Sequence, residues 1–306
     1  MSVVSAARAG VGAASPAMRG ILCLLCGIFF LTISDSLAKW LGGTYAPVQL
    51  LFLRGSLAVP IMLVLILALA GRPALRTRYP GLHLFRGFLN VVSASFFYYG
   101  LTQLPLAENT AIAFSAPLFV TLLSVLYLKE QVDGRRWAAV IAGFAGVMIV
   151  VQPGGPAFQP AALFPLATAF GYAVMMVSAR GIGREEGLLT TMFYIALAQV
   201  IVAGAVVAWF WQPINQEIHW LGLTGMAICS TAGLGLITQA FRIAPASVVA
   251  PFDYSGLLWA GIFGWLFWDE VPGWIACLGA ALIAASGIYI AWRESRVGGR
   301  QDAQTA

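Results

Sequence analysis

Ten long apolar runs, separated by short breaks, constrain this chain more than any other feature of its sequence. Breaks at Gly, Pro and charge clusters place them near residues 20–41, 46–70, 82–102, 107–128, 135–152, 161–180, 188–209, 219–242, 247–268 and 273–293. A hydrocarbon core needs about 20 apolar residues per helix, and most of the runs are close to that length. The connections are too short for a soluble domain. Composition closes off the alternatives. Charged residues are 9% of the chain and hydrophobic residues 60%, against about 25% charge in soluble proteins, so a water-facing surface cannot be covered. The hydrophobicity excludes disorder, and unbroken apolar runs are unlike the alternation of barrel strands. The sequence predicts an all-α membrane protein with ten transmembrane helices, residues 1–19 and 294–306 being polar tails.

The 17 Lys and Arg against 12 Asp and Glu give a net charge of +5. Their placement is a topology signal, not a nucleic-acid patch. With the N-terminus in the cytoplasm, the inner side receives Arg8, Arg19, Arg72, Arg76, Arg78, Lys129, Arg135, Arg136, Arg180, Arg184, Arg242, Arg293, Arg296 and Arg300, while the outer loops hold no Lys or Arg. An even helix count returns the C-terminus to the cytoplasm. Cys23, Cys26, Cys229 and Cys277 lie in apolar runs and read as packing residues. Trp40, Trp209, Trp211 and Trp220 on one side, and Trp137 and Trp292 on the other, read as interfacial belts. Gly143, Gly146, Gly233 and Gly235 read as close-packing sites.

An internal repeat is visible at an offset of 140 residues. "LPLAENTAIAFSAPLFVTLLSVLYLKE" (Leu104–Glu130) aligns with "APASVVAPFDYSGLLWAGIFGWLFWDE" (Ala244–Glu270), matching Pro105 with Pro245, Ser115 with Ser255 and Glu130 with Glu270. Each half, 20–152 and 161–293 with a linker at 153–160, then holds five helices. Five is odd, so the second half enters the membrane inverted. Charge agrees: the loop around Glu130 carries Lys129, Arg135 and Arg136, and the loop around Glu270 carries no Lys or Arg. Inverted repeats are a plan of secondary transporters.

An ionisable group inside a membrane is costly and points to function. Asp253 is the strongest case, followed by Tyr254 and Trp259 and preceded by Pro251, which can free a backbone carbonyl. An acid beside aromatic faces suits a cationic or planar solute. Asp35 and Arg54 reach similar depths from the outer side and are expected to pair, with Lys39 snorkelling to the interface. Glu108 and Asn109 open the fourth helix, as caps or as lining of an outer vestibule. Asn90 and Tyr98, with Tyr99, are candidates to line the path, Asn90 reading alternatively as a bond to another helix. Gln199 and Gln239 read as interhelical bonds. His83 and Arg86 read as topology residues, and Glu130 and Glu270 as structural helix ends. The candidate substrate-pathway residues are therefore Asp253, Tyr254, Trp259, Asp35, Arg54, Asn90, Tyr98, Glu108 and Asn109.

The 5+5 plan, the two repeat ends, "SDSLAKWL" in the first helix and "VQLLFLRG" in the second together resemble the drug/metabolite transporter superfamily, and within it the EamA-type transporters. The likeness covers roughly residues 20–293. It implies a carrier of the bacterial inner membrane for a small organic solute of the amino-acid, S-adenosylmethionine or riboflavin class, working by alternating access as importer or exporter. It implies no cofactor and no metal. The partners are the solute, the bilayer and, as a further candidate, protons. Rival readings are a channel-like facilitator or a non-transporting scaffold. An intramembrane enzyme fits least, since there is no H-E-x-x-H, and a missing P-loop argues against ATP.

Overall fold

A computed structural model describes residues 16–129, 134–153, 158–178, 187–244 and 246–305. Arg8, Glu130, Arg180, Arg184 and Pro245 lie outside the described residues. Every regular element among them is helical. In chain order these are α1 (Pro16–Gly42), α2 (Pro47–Leu69), α3 (Pro80–Gln103), α4 (Leu106–Ala113), α5 (Ala116–Leu128), α6 (Gly134–Val151), α7 (Leu163–Ser178), α8 (Leu188–Val207), α9 (Glu217–Ile243), α10 (Ala246–Val249), α11 (Ser255–Trp268) and α12 (Trp274–Thr305). Among the described residues, six segments are long and apolar enough to cross a membrane: Pro16–Gly42, Pro47–Leu69, Leu106–Tyr127, Pro160–Ser178, Leu189–Phe210 and Glu217–Ile243. Trp137–Val151 and Trp274–Ile290 are shorter apolar helices.

Local chemistry explains the boundaries. Pro opens α2 and α3, where its fixed φ suits a first turn and its missing N–H costs nothing. The α2 helix stops at Gly71, whose φ of 76° lets its N–H close on the Ile66 carbonyl at 2.8 Å. Two predicted helices are broken. The run 107–128 divides between α4 and α5 at Phe114–Ser115, with Pro117 in the first turn of the new helix. The run 247–268 divides between α10 and α11 through a tight 3-10 turn, Ala250–Tyr254, with Pro251 near its start. Both resumed helices end on a left-handed residue with φ 54°, Lys129 and Asp269. These positions are 140 apart, the spacing of the sequence repeat.

The principal helix pairings join the chain before residue 152 to the chain after it. The α1 helix packs along α9, α3 along α7, α2 along α8 and α6 along α12, with α4 against α11. For the first four pairings, exchanging each element for its counterpart in the other half returns the same set. Glycine allows close backbone approach in two of these pairs. A Cβ on Gly27 would stand 2.9 Å from the Gly233 carbonyl oxygen, and one on Gly146 the same distance from that of Gly279. Gly143 meets Leu118 and Ser286 in the same way, but Gly235 faces open space, against expectation.

The largest core cluster contains Leu41, Leu50, Leu51, Tyr98, Leu101, Leu106, Leu223, Met226 and Ala260. Large apolar side chains also cover the exterior, among them Leu69, Trp209, Leu221, Leu258 and Val271. In water such a surface would drive aggregation; against lipid it is the required solvent-facing chemistry. Trp40, Trp209, Trp211, Trp220 and Trp292 are exposed. All four cysteines are free, and Cys26 and Cys277 are exposed, so these two are not packing residues.

Candidate functional site

The polar residues gather in three places. The first is centred on Arg54 in α2. Its guanidinium donates to the Tyr98 hydroxyl of α3 at 2.8 Å and to the Gln199 Oε1 of α8 at 2.9 Å. The Gln199 Nε2 in turn donates to the Leu51 carbonyl at 2.6 Å. One cation thus binds three helices with its donors matched to neutral oxygens, which a planar fork does well. The interhelical role expected of Gln199 is seen here. The expected Asp35–Arg54 ion pair is not. Arg54 acts on Asp35 through space only, because its donors are directed to Tyr98 and Gln199. Asp35, half-buried in α1, has no hydrogen bond or ion pair among the described residues. The structure therefore brings Asp35, Arg54 and Tyr98 together, with the acid left unpartnered.

The second place is the break between α10 and α11. Asp253 is half-buried in the 3-10 turn. Beside it, the Tyr254 and Ser255 hydroxyls are buried without a hydrogen-bond partner among the described residues. The Tyr254 ring lies 5.1 Å from Phe114, at the other helix break, and its hydroxyl end rests on Gly287 of α12. Trp259 stands edge-on to Phe29 at 4.9 Å and near Phe263 at 6.1 Å. Tyr172 of α7 is within electrostatic reach of both Asp253 and Arg86. Arg86 is buried, with its Nε unpartnered among the described residues, and His83 is buried against Tyr194 at 5.3 Å. These two side chains point inward, so they are more than topology markers. Tyr172 gave no sequence signal, since one hydroxyl in an apolar helix is commonplace, and Ser255 stood out only as the repeat partner of Ser115.

The third place is the Gly42 end of α1. Lys39 donates to the Leu104 carbonyl and to the Glu270 Oε1, each at 2.7 Å, while the Leu106 N–H donates to Glu270 Oε2 at 2.9 Å. Lys39 is buried, so it does not snorkel: a carboxylate and a carbonyl inside the protein replace the water it would otherwise seek. Glu270 likewise binds across elements instead of merely ending a helix. Glu108 lies in the first turn of α4, where a carboxylate suits the helix dipole, and it feels the charges of Glu270 and Lys39. Asn109 does not cap α4. Its side chain is fully buried and its Nδ2 donates to the Phe97 carbonyl of α3 at 3.3 Å, tying α4 to α3. Asn90 lies apart, its Oδ1 buried without a partner among the described residues.

Comparison with known proteins fits this arrangement. The model of the EamA-like transporter family matches the chain twice, over residues 18–152 and 159–292. The riboflavin transporter of Vibrio cholerae is 29% identical over 292 residues, covering 93% of this chain and 96% of that protein. The S-adenosylmethionine uptake transporter of Rickettsia prowazekii is 27% identical over 280 residues, covering 91% and 94%. A solved crystal structure that is 20% identical shares the fold, with a TM-score of 0.59 over 90% of this chain and 98% of that one. The chain belongs to the EamA-like transporter family of the drug/metabolite transporter superfamily, and it is a transporter of small metabolites.

Proposed function

We propose that the protein is a secondary carrier of the bacterial inner membrane, moving a small organic solute by alternating access. In this reading ten spans form two inverted halves, 20–152 and 161–293, joined by an outer linker at 153–160, with both tails cytoplasmic. The broken segments α4–α5 and α10–α11 each count as one span. The exchange symmetry of the helix pairings and the left-handed residues 140 apart support that plan. So does the charge asymmetry of the loops.

One observation carries the function: ionisable and polar side chains from α1, α2, α3, α8 and the α10–α11 break are concentrated inside an apolar bundle, with Asp35 and the Tyr254 hydroxyl unpartnered among the described residues. Such groups are expensive in a membrane interior, and a solute that satisfies them offsets that cost. Broken helices at a midplane site are a recurrent feature of secondary transporters. The path runs along Asp253, Tyr254 and Trp259, then Asp35, Arg54 and Tyr98, with Asn90, Glu108 and Asn109 flanking it. Acids beside aromatic rings suit a planar or cationic solute. That chemistry fits riboflavin and S-adenosylmethionine, and amino acids stay in the trial set. Protons are the candidate coupling ion, with Asp253, Asp35 and Glu108 as carriers. The direction of transport follows the gradients.

The test is uptake into proteoliposomes of riboflavin, S-adenosylmethionine and amino acids, with and without a pH gradient. A carrier shows counterflow, in which unlabelled internal solute accelerates entry of labelled solute. Absence of counterflow alongside solute flux would make the protein a channel, and absence of any flux a scaffold. Asp253→Asn is expected to abolish uptake or remove its pH dependence. Unchanged uptake with unchanged pH dependence would exclude Asp253 from the path.

A further inference from the structure

Lys39 draws three separate segments together: the end of α1, the turn between α3 and α4, and the end of α11. Its ammonium donates to the Leu104 carbonyl and to Glu270 at 2.7 Å each, and it lies 5.5 Å from the centre of the Trp268 ring. Glu270 is held in place by the Leu106 N–H at 2.9 Å. The two side chains are 7% and 22% exposed, so both charges have given up most of their water. Such a pair is stable only while its partners remain, because removing one strands the other in a poor solvent. Once released, Lys39 would reach outward as long lysines at helix ends usually do. A cleft of about 300 Å³ beside it, lined by Lys39, Thr102, Gln103, Trp268 and Glu270, gives the chain room to move. Deeper in the bundle the rings of Phe29, Trp259 and Phe263 close on one another at 4.9 to 6.1 Å. Phe29 precedes Lys39 by ten residues, about 15 Å along the helix.

We propose that Lys39, Glu270 and the backbone of Leu104 and Leu106 form the outer gate of the carrier, closed in this structure, with the aromatic layer directly behind it. The proposal rests on the alternating-access reading and on the Gly42 end of α1 being the outer one. Opening to the outside breaks both Lys39 contacts and uncovers the aromatic layer. Opening to the inside leaves them intact.

The test uses the full chain with its four native cysteines replaced by serine. Phe29→Cys is introduced and its reaction with a membrane-impermeant maleimide added to intact cells is timed. Lys39→Gln or Glu270→Gln is expected to speed that reaction about tenfold, as an unpaired buried charge drives the contact open. An unchanged rate overturns the gate. Thr102→Cys, beside the cleft, is expected to label from outside in every background. Labelling only in broken cells strikes the topology instead, and with it the assignment of this gate to the outside. Should the glutamine variants fail to fold, Lys39→Cys/Glu270→Cys is bridged with a short reducible bis-thiol reagent. Transport is expected to stop when bridged and return on reduction. Transport that continues across the bridge overturns the gate, whereas an unbridged parent showing no counterflow strikes the carrier reading.

Discussion

Arg54 puts its donors on two neutral oxygens, the Tyr98 hydroxyl and the Gln199 amide, while the nearby acid Asp35 receives only its field. In the proposed path that choice fixes the cation and leaves the anion available. Arg54→Lys keeps the charge but loses the fork: one ammonium on a flexible stem cannot hold both oxygens in the same geometry. Uptake is expected to fall at least about tenfold in this variant, with thermal stability lowered by about 1–3 kcal/mol, the scale of a lost charge-assisted bond. Tyr98→Phe, which removes one acceptor and keeps the ring, is expected to lose less of both. Equal uptake by wild type and Arg54→Lys, at matched protein amounts, would reduce Arg54 to a generic positive charge. At this scale the sequence revealed the ionisable members, because charge inside a 20-residue apolar run stands out. It did not reveal their partners. Gln199 is 145 residues from Arg54, and its amide has no property that a sequence pattern distinguishes from any other helix-bonding glutamine. The same holds for Lys39, whose direction depends on a carbonyl and a carboxylate far along the chain.

Helix positions were legible because apolar length and Pro or Gly punctuation depend only on neighbouring residues. The two broken helices were not. The apolar run continues past Phe114–Ser115 and, apart from Asp253, past 250–254, and Pro117 and Pro251 read equally well as kinks within a continuous helix. In the structure each proline instead sits near the start of a new helical turn, and the second break sets Asp253, Tyr254 and Ser255 at the point where α11 begins. The end of α11 permits a direct test of element geometry. Asp269 holds φ 54°, a left-handed conformation that Asp tolerates, Gly adopts freely and β-branched residues resist. Asp269→Gly is expected to leave thermal stability within about 0.5 kcal/mol of wild type, while Asp269→Val costs about 1–2 kcal/mol. The val variant is also expected to disturb Glu270, whose N–H closes on the Gly264 carbonyl at 3.1 Å. The comparison is made from melting curves in detergent. A valine variant as stable as wild type would mean that the turn relaxes without strain.

At the scale of the molecule, the two sequence repeats are not two packed bodies. The closest pairings, α1 with α9, α3 with α7, α2 with α8 and α6 with α12, all cross from one half to the other. Interleaving of this kind is invisible to a repeat alignment, which establishes that two segments are alike and not what each packs against. Under the proposed alternating access, helix pairs drawn from both halves would move as units, and the glycine crossings within those pairs are expected to stay closed throughout. The α1–α9 crossing tests this. A side chain at Gly27 would meet the Gly233 carbonyl at 2.9 Å and the Ile237 side chain at 2.8 Å, whereas one at Gly235 meets nothing within 4 Å. Backbone against backbone cannot yield as a side-chain tip can, so overpacking there costs about 1–3 kcal/mol or more. Gly27→Leu is expected to lower the melting temperature and the monodisperse yield and to abolish counterflow, because α1 carries Asp35 and Lys39 and can no longer seat on α9. Gly235→Leu adds the same bulk to the same helix pair where space is open, and is expected to retain both. Equal behaviour of the two variants would show that the pair separates readily, and the moving unit would then have to be a single helix.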